Sequence, residues 1–226
     1  MNILIVAAHP DDEVLGCGGT IARFAREGHN VFAAILGQGV TSRYSRPESA
    51  EPVLIRSLQE SCHKASKLLG VKEVVLCNLP DNRLDTMPLV DIVKLVEELV
   101  DRFKPESVYT HHRGDLNIDH AIAHRAVLTA TRPMSGCPVS ELCAFEIPSS
   151  TEWAFGQLKS SFTPNLFIDI RDTLALKIDA LKLYEGEIRE FPHPRSQEAI
   201  EALAKYRGAS VGFEASEAFE LIRKQV

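Results

Sequence analysis

The chain is predicted to be an α/β protein with a Rossmann-like, mostly parallel sheet, helices on both faces and a C-terminal cap. Apolar runs rich in Ile, Leu and Val alternate with longer stretches of helical periodicity, which is the pattern of a sheet built from β-α-β units. Two of those runs open directly into polar clusters, as buried parallel strands do at their carboxyl ends. With 226 residues the chain can bury a continuous core, so residues 1–226 are read as a single domain.

Asn2-Ile3-Leu4-Ile5-Val6-Ala7 reads as the first strand. Over residues 14–27, Leu15, Ile21, Ala22, Phe24 and Ala25 fall near helical spacing, and Gly28 stops the helix before a second strand at 31–36. The pattern repeats with a helix over 51–69 ended by Gly70, a strand at 74–76 and a helix over 89–103 closed by Pro105. A strand at 107–110 and a helix over 119–130 follow, joined by right-handed crossovers. After Pro133 the rhythm changes to strands at 142–147 and 166–170 and helices over 174–188 and 196–206, read as an appended cap. No repeat, low-complexity tract or linker separates the halves, so no domain boundary is placed.

A net charge of −6 and a pI near 5.8 leave no visible surface for neutralising phosphates, so nucleic acid is excluded as a partner. The five cysteines are scattered, odd in number and without a C-x-x-C pair, which reads as a reduced, cytoplasmic protein. The first apolar run lacks a basic leader and is too short for a signal peptide or membrane span, so no export or anchoring is expected.

In open α/β sheets ligands bind just beyond the carboxyl ends of the strands. The two polar clusters stand there: Ala8-His9-Pro10-Asp11-Asp12-Glu13 after the first strand, and the run from His111 to His120 after the strand at 107–110. Imidazole and carboxylate together suit zinc, whose catalytic sites keep three protein ligands and an open position. His9, Asp12 and His120 supply such a set. The competing reading makes the His-Pro-Asp-Asp turn a helix cap, with the Asp side chains accepting the free N–H groups of a first turn. His124 shares a helical face with His120 but lies a turn deeper, where a packed histidine is expected. Gly16, Gly18 and Gly19 fit neither the dinucleotide fingerprint nor the P-loop, and close helix–sheet packing accounts for them.

The first cluster with the segment from Gly16 to Thr20, together with Asn117-Ile118-Asp119-His120, resembles the LmbE-like or PIG-L family of zinc-dependent N-acetylglucosaminyl deacetylases. The resemblance runs over residues 1–132, with weaker similarity through Pro192-His193-Pro194-Arg195-Ser196-Gln197. It implies that His9, Asp12 and His120 are zinc ligands, that Asp11 is the general base with Asp119 a second catalytic carboxylate, and that Arg56, Asn117 and His193 bind substrate. Many members carry a second histidine three residues before the zinc histidine. Here that position is Asn117, which leaves Asn117, His111 or His112 to replace the missing donor and deprives Asp119 of its usual partner.

The activity so implied is removal of the N-acetyl group from an N-acetylated sugar or sugar conjugate, with a metal-activated water as nucleophile. Two alternatives stay open: a related zinc amidase for a larger acyl or thiol-sugar conjugate, and a non-catalytic Rossmann-like binding domain. Relatives of this kind often assemble as trimers or hexamers, so a homo-oligomer with a small-molecule substrate is expected.

Overall fold

The computed structural model describes residues 1–44, 51–158 and 160–226. Strands β1 (Asn2–Ala7), β2 (Asn30–Gly37), β3 (Glu73–Leu79), β4 (Ser107–His111), β5 (Glu141–Phe145), β6 (Leu166–Asp169) and β7 (Ser216–Lys224) join in one sheet. Their spatial order is β3-β2-β1-β4-β5-β7-β6. The first five strands run parallel, while β7 lies antiparallel between β5 and β6.

The near-continuous apolar runs follow from burial on both faces. Ile3, Ile5 and Ala7 of β1 enter one core and Leu4, Val6 and Ala8 the other. Helices α1 (Asp12–Arg26), α2 (Pro52–Leu69), α5 (Leu174–Lys182) and α6 (Gln197–Ala209) supply the first core through residues such as Ile21, Leu69, Leu181 and Ile200. Helices α3 (Leu89–Phe103) and α4 (Ile118–Ala130) cover the other face with Val96, Leu99, Ala123 and Val127. None of the described helices is long and apolar enough to cross a membrane.

The alternation through residue 130 matches the predicted elements, and the part after Pro133 both extends and covers the sheet. Two features differ from the sequence reading. The helix expected over 174–188 stops at Lys182, and the chain then turns through Gly186, whose positive φ of 83° suits a residue without a side chain. The last strand, β7, was not predicted: Glu217, Glu220, Arg223 and Lys224 interrupt its apolar alternation.

One of those charges repairs a break in α1. At Cys17 the backbone leaves helical geometry (φ −148°, ψ 24°), which frees peptide groups on both sides. The buried Glu217 carboxylate accepts the N–H of Gly19 (3.0 Å) and of Thr20 (2.7 Å). Lys177 Nζ, also buried, donates to Leu15 O (2.8 Å) and to Glu217 Oε1 (2.6 Å).

The glycines at this break serve close packing. A Cβ on Gly19 would stand 2.8 Å from Ile170, and one on Gly16 would overlap the Phe145 ring. Gly16→Ala is therefore expected to cost about 1–3 kcal/mol through overpacking, read as a lower urea midpoint at unchanged slope.

Candidate active site

Strand order reverses between β1 and β4: the connection from β1 leads to β2 on one side, whereas β4 leads to β5 on the other. A crevice opens at such a switch point. The two strand ends are tied by Thr110 Oγ1 donating to Val6 O (3.0 Å) and by the Ala8 N–H donating to His111 Nε2 (2.8 Å).

From β1 the chain turns into α1 through Asp11, whose φ of 106° is unusual for a residue with a side chain. Glu13 Oε2 accepts the Asp11 N–H (3.1 Å), and Asp11 O accepts the N–H groups of Val14 (3.0 Å) and Leu15 (2.8 Å). Tyr184 donates its hydroxyl to Glu13 Oε1. Burial pushes the Glu13 carboxyl up to about 7, against the Tyr184 hydrogen bond. Asp11 stands at the helix N-cap position, yet its side chain makes no cap. Asp12 turns its Oδ2 back onto the His9 N–H (2.9 Å). The capping reading of this turn thus does not describe either side chain.

Asp12 Oδ2 is instead the meeting point, 3.2 Å from His9 Nδ1 and 3.2 Å from His120 Nε2. Behind each imidazole stands a carboxylate. His9 Nε2 lies 3.1 Å from Asp119 Oδ2, and Asp119 Oδ1 accepts the Leu84 N–H (3.0 Å). His120 Nδ1 lies 3.1 Å from Asp115 Oδ2. Carboxylates in this position fix the tautomer and orientation of ligating histidines.

Among the described residues, ligand atoms lie within 4.8 Å of one another in each of two trios: His9, Asp12 and His120, and His111, Asp115 and His120. The second is wholly buried, and its Asp115 and the Nε2 of its His111 are already engaged. Asp115 takes Ser150 Oγ, Thr151 Oγ1 (3.0 Å) and the Asn117 N–H (3.3 Å), while His111 Nε2 takes the Ala8 N–H. Only the first trio lines the cavity at the crevice, which measures about 160 Å³.

That trio fits a small cation. Both ring nitrogens of His120 are buried without a well-aligned hydrogen bond. Burial alone would lower the histidine pKa values, but Asp119 and Asp12 push His9 up to about 10, and Asp12 and Asp115 push His120 up to about 9. Burial would likewise raise Asp12, yet the positive charge on His120 holds it well below the usual range. The carboxylates thus draw positive charge onto this point, and two imidazoles with one carboxylate are a donor set that suits zinc.

Asp11 also lines the cavity and meets a different partner. Arg195 Nη1 donates to Asp11 Oδ2 (2.8 Å) and lies 3.5 Å from Glu187 Oε2, while Arg195 Nε donates to Ser149 Oγ (2.8 Å). Burial pushes the Asp11 carboxyl well above its ordinary value, and Arg195 pulls it part of the way back.

The other expected residues divide. Asn117 lines the cavity as the cap of α4, with Oδ1 accepting the Asp119 N–H (2.9 Å) and Nδ2 donating to Asn82 Oδ1 (2.8 Å). Asp119 contacts a histidine of the trio and does not line the cavity. His111 stands behind Asp12, 3.6 Å away, whereas His112 points to Glu220 (3.0 Å). His124 packs with Nδ1 donating to His111 O (2.8 Å), as expected. Arg56 lies exposed on α2, outside this cavity, and His193 stands beside Arg195, whose N–H its Nδ1 accepts (3.1 Å). Sequence reasoning missed Asp81, which lines the cavity with Oδ1 3.5 Å from His9 Nε2, as well as Asp115 and the pairing of Arg195 with Asp11. For Asp81 a signal existed: Leu79-Pro80-Asp81-Asn82 is a polar turn after an apolar strand, like the two clusters that were read.

Residues 4–131, more than half of the chain, match the family described as PIG-L, GlcNAc-PI de-N-acetylase. The chain belongs to this family. A protein of Escherichia coli K12 named as an uncharacterized deacetylase, YaiS, is 29% identical over 191 residues, covering 82% of this chain and 91% of that one. The diacetylchitobiose deacetylase of Thermococcus kodakarensis is 25% identical over 232 residues, covering 98% of this chain and 83% of its own. The fold is shared with GalB, the 4-carboxy-2-hydroxymuconate hydratase of Pseudomonas putida, at a TM-score of 0.79 and 20% identity over 100% of this chain and 97% of that one.

For this family member the turn at Asp11 rests on the buried Glu13. Tyr184→Phe removes the hydroxyl donor and leaves Glu13 Oε1 without it. The expected cost is about 1–3 kcal/mol of stability, measured by chemical denaturation against the parent chain.

Proposed function

We propose that this chain is a zinc-dependent N-deacetylase that removes the acetyl group from an N-acetylated sugar or sugar conjugate, an amide hydrolase acting at a C–N bond other than a peptide bond. The observation that supports it most is the meeting of His9 and His120 on Asp12 Oδ2, beside a second carboxylate, Asp11, that faces the same cavity. Family membership and the deacetylase names of the two relatives support the reaction class. The shared fold with a hydratase does not, because one fold hosts several chemistries.

In this reading His9 through Nδ1, Asp12 through its carboxylate and His120 through Nε2 hold zinc. When bound, zinc supplies a Lewis acid that polarises the acetyl carbonyl and lowers the pKa of a water to about 7. Asp119 and Asp115 keep the two imidazoles turned toward the ligand point. Asp11 accepts a proton from the attacking water and returns it to the departing amine, which leaves poorly as an anion. Arg195 fixes Asp11 Oδ2 so that the carboxylate keeps one orientation through both transfers. Arg195 and Asn117 carry N–H donors on the cavity wall, and these would serve the developing oxyanion where the family more often has a histidine.

The reaction is tested by acetate release across N-acetyl sugars, nucleotide sugars and thiol-sugar conjugates; release from none of them would reject it. His120→Ala is expected to strip metal from protein purified without added zinc, as counted by elemental analysis, whereas His124→Ala retains it. Loss of metal only in the His124 variant would overturn the ligand set. Asp11→Asn keeps shape and metal but cannot take a proton, so kcat should fall by about 10² to 10⁴. Near-native turnover in metal-loaded Asp11→Asn protein would remove Asp11 from the mechanism.

A further inference from the structure

The chain has one tryptophan, Trp153, and it is 39% exposed. Indole rings are mostly buried in folded proteins, so a half-open one on a fixed support calls for an occupant. The support here is firm. Trp153 rides on the single turn Glu152–Ala154. Thr151, just before it, donates Oγ1 to Asp115 Oδ2 (3.0 Å) and accepts the Ile147 N–H (2.7 Å), and Glu152 Oε1 accepts the Ser149 N–H (2.6 Å). Asp115 is the carboxylate behind His120, so the turn is anchored on the back of the candidate metal ligand.

A second, independent path leads to the same ring. His193 meets the indole with centroids 5.4 Å apart and planes at 77°. Its Nδ1 accepts the Arg195 N–H, and Arg195 holds Asp11. A perpendicular pair joins an edge to a face and does not cover two faces with each other, as parallel stacking does.

The cavity at the trio holds about 160 Å³, less than the roughly 300–1,000 Å³ of pockets that enclose a whole ligand. A substrate whose acetamido group reaches the trio must therefore leave its remainder on the rim. Ser149 and Arg195 line the cavity; the Ser149 N–H donates to Glu152, next to Trp153, and the Arg195 N–H to His193, so the Trp153–His193 pair adjoins that wall through these two contacts.

We propose that Trp153 is the platform of a second sugar subsite, where the neighbouring pyranose of a disaccharide lays its C–H face on the indole. The Glu152 carboxylate, next in sequence to Trp153, and the Ser149 hydroxyl on the cavity wall would meet the sugar's hydroxyl groups. The proposal rests on the deacetylase reading and names its substrate class as an N-acetylated amino-sugar disaccharide or longer chain.

Because Trp153 is the sole tryptophan, indole emission reports occupancy without any turnover. Chitobiose, already deacetylated, is titrated into the wild-type protein alongside glucosamine. A saturable change in emission with chitobiose, absent at equal concentrations of glucosamine, is the expected result. In kinetics Trp153→Ala should raise KM for N,N′-diacetylchitobiose on the order of tenfold and leave N-acetylglucosamine unchanged, with Trp153→Phe restoring most of the loss. Unaltered emission with chitobiose, or equal losses on both substrates, overturns the subsite. Acetate release with a KM indifferent to Trp153 would sink the subsite and spare the reaction, whereas saturable emission without acetate release would do the reverse.

Discussion

Four groups converge on one oxygen of Asp12: the His9 N–H, His9 Nδ1, His120 Nε2 and, slightly farther off, His111 Nε2. For that oxygen to sit there, β1 and β4 must be neighbours and the chain must turn sharply after His9. The parallel pairing of β1 with β4 meets the first requirement, and the left-handed backbone at Asp11 meets the second. The buried network of Glu13 and Tyr184 then holds the turn, and the ties between Val6, Ala8, Thr110 and His111 hold the strand ends. The cavity is a consequence of these constraints.

Burial and neighbours shift the proton affinities of the adjacent aspartates in opposite directions. Asp12 looks at imidazoles that carry positive charge, which keeps it ionised despite complete burial. Asp11 faces Arg195 but lies among Asp12, Glu13 and Glu187, and its carboxyl is pushed upward. Pairs of titratable groups whose surroundings separate their proton affinities mark acid–base work. In the reading favoured here one aspartate is a permanent anion suited to a metal, and its neighbour exchanges protons.

Much of this was legible before the fold was known. The strand–helix rhythm over the first 130 residues follows from apolar periodicity, and the two His/Asp clusters announce themselves by interrupting it. The remainder was hidden for physical reasons. Strand β7 carries Glu217 and Glu220 toward partners that are distant in sequence, so its pattern lacks clean alternation. Arg195 meets Asp11 only because the loop after α5 folds back across the strand ends, and no local spacing encodes that return. Arg56 lies exposed on the helix whose Leu58 lines the cavity, and its association with substrate comes from the family resemblance alone. Asp119 was read by its family label as a second catalytic carboxylate, and its Oδ2 lies 3.1 Å from His9 Nε2, a contact that no local spacing encodes.

The splice at Cys17 has a consequence for how the molecule is made. The peptide groups released in α1 find their partners in Lys177 and Glu217, and the bond from Glu217 to Thr20 spans 197 residues of chain. Contacts of such long range slow folding, because a large loop must close before they are rewarded. On the ribosome the turn with His9 and Asp12 emerges well before β7, and the helix behind it completes its hydrogen bonding only when that strand arrives. The helix behind the site is thus made well before its hydrogen bonding can be completed.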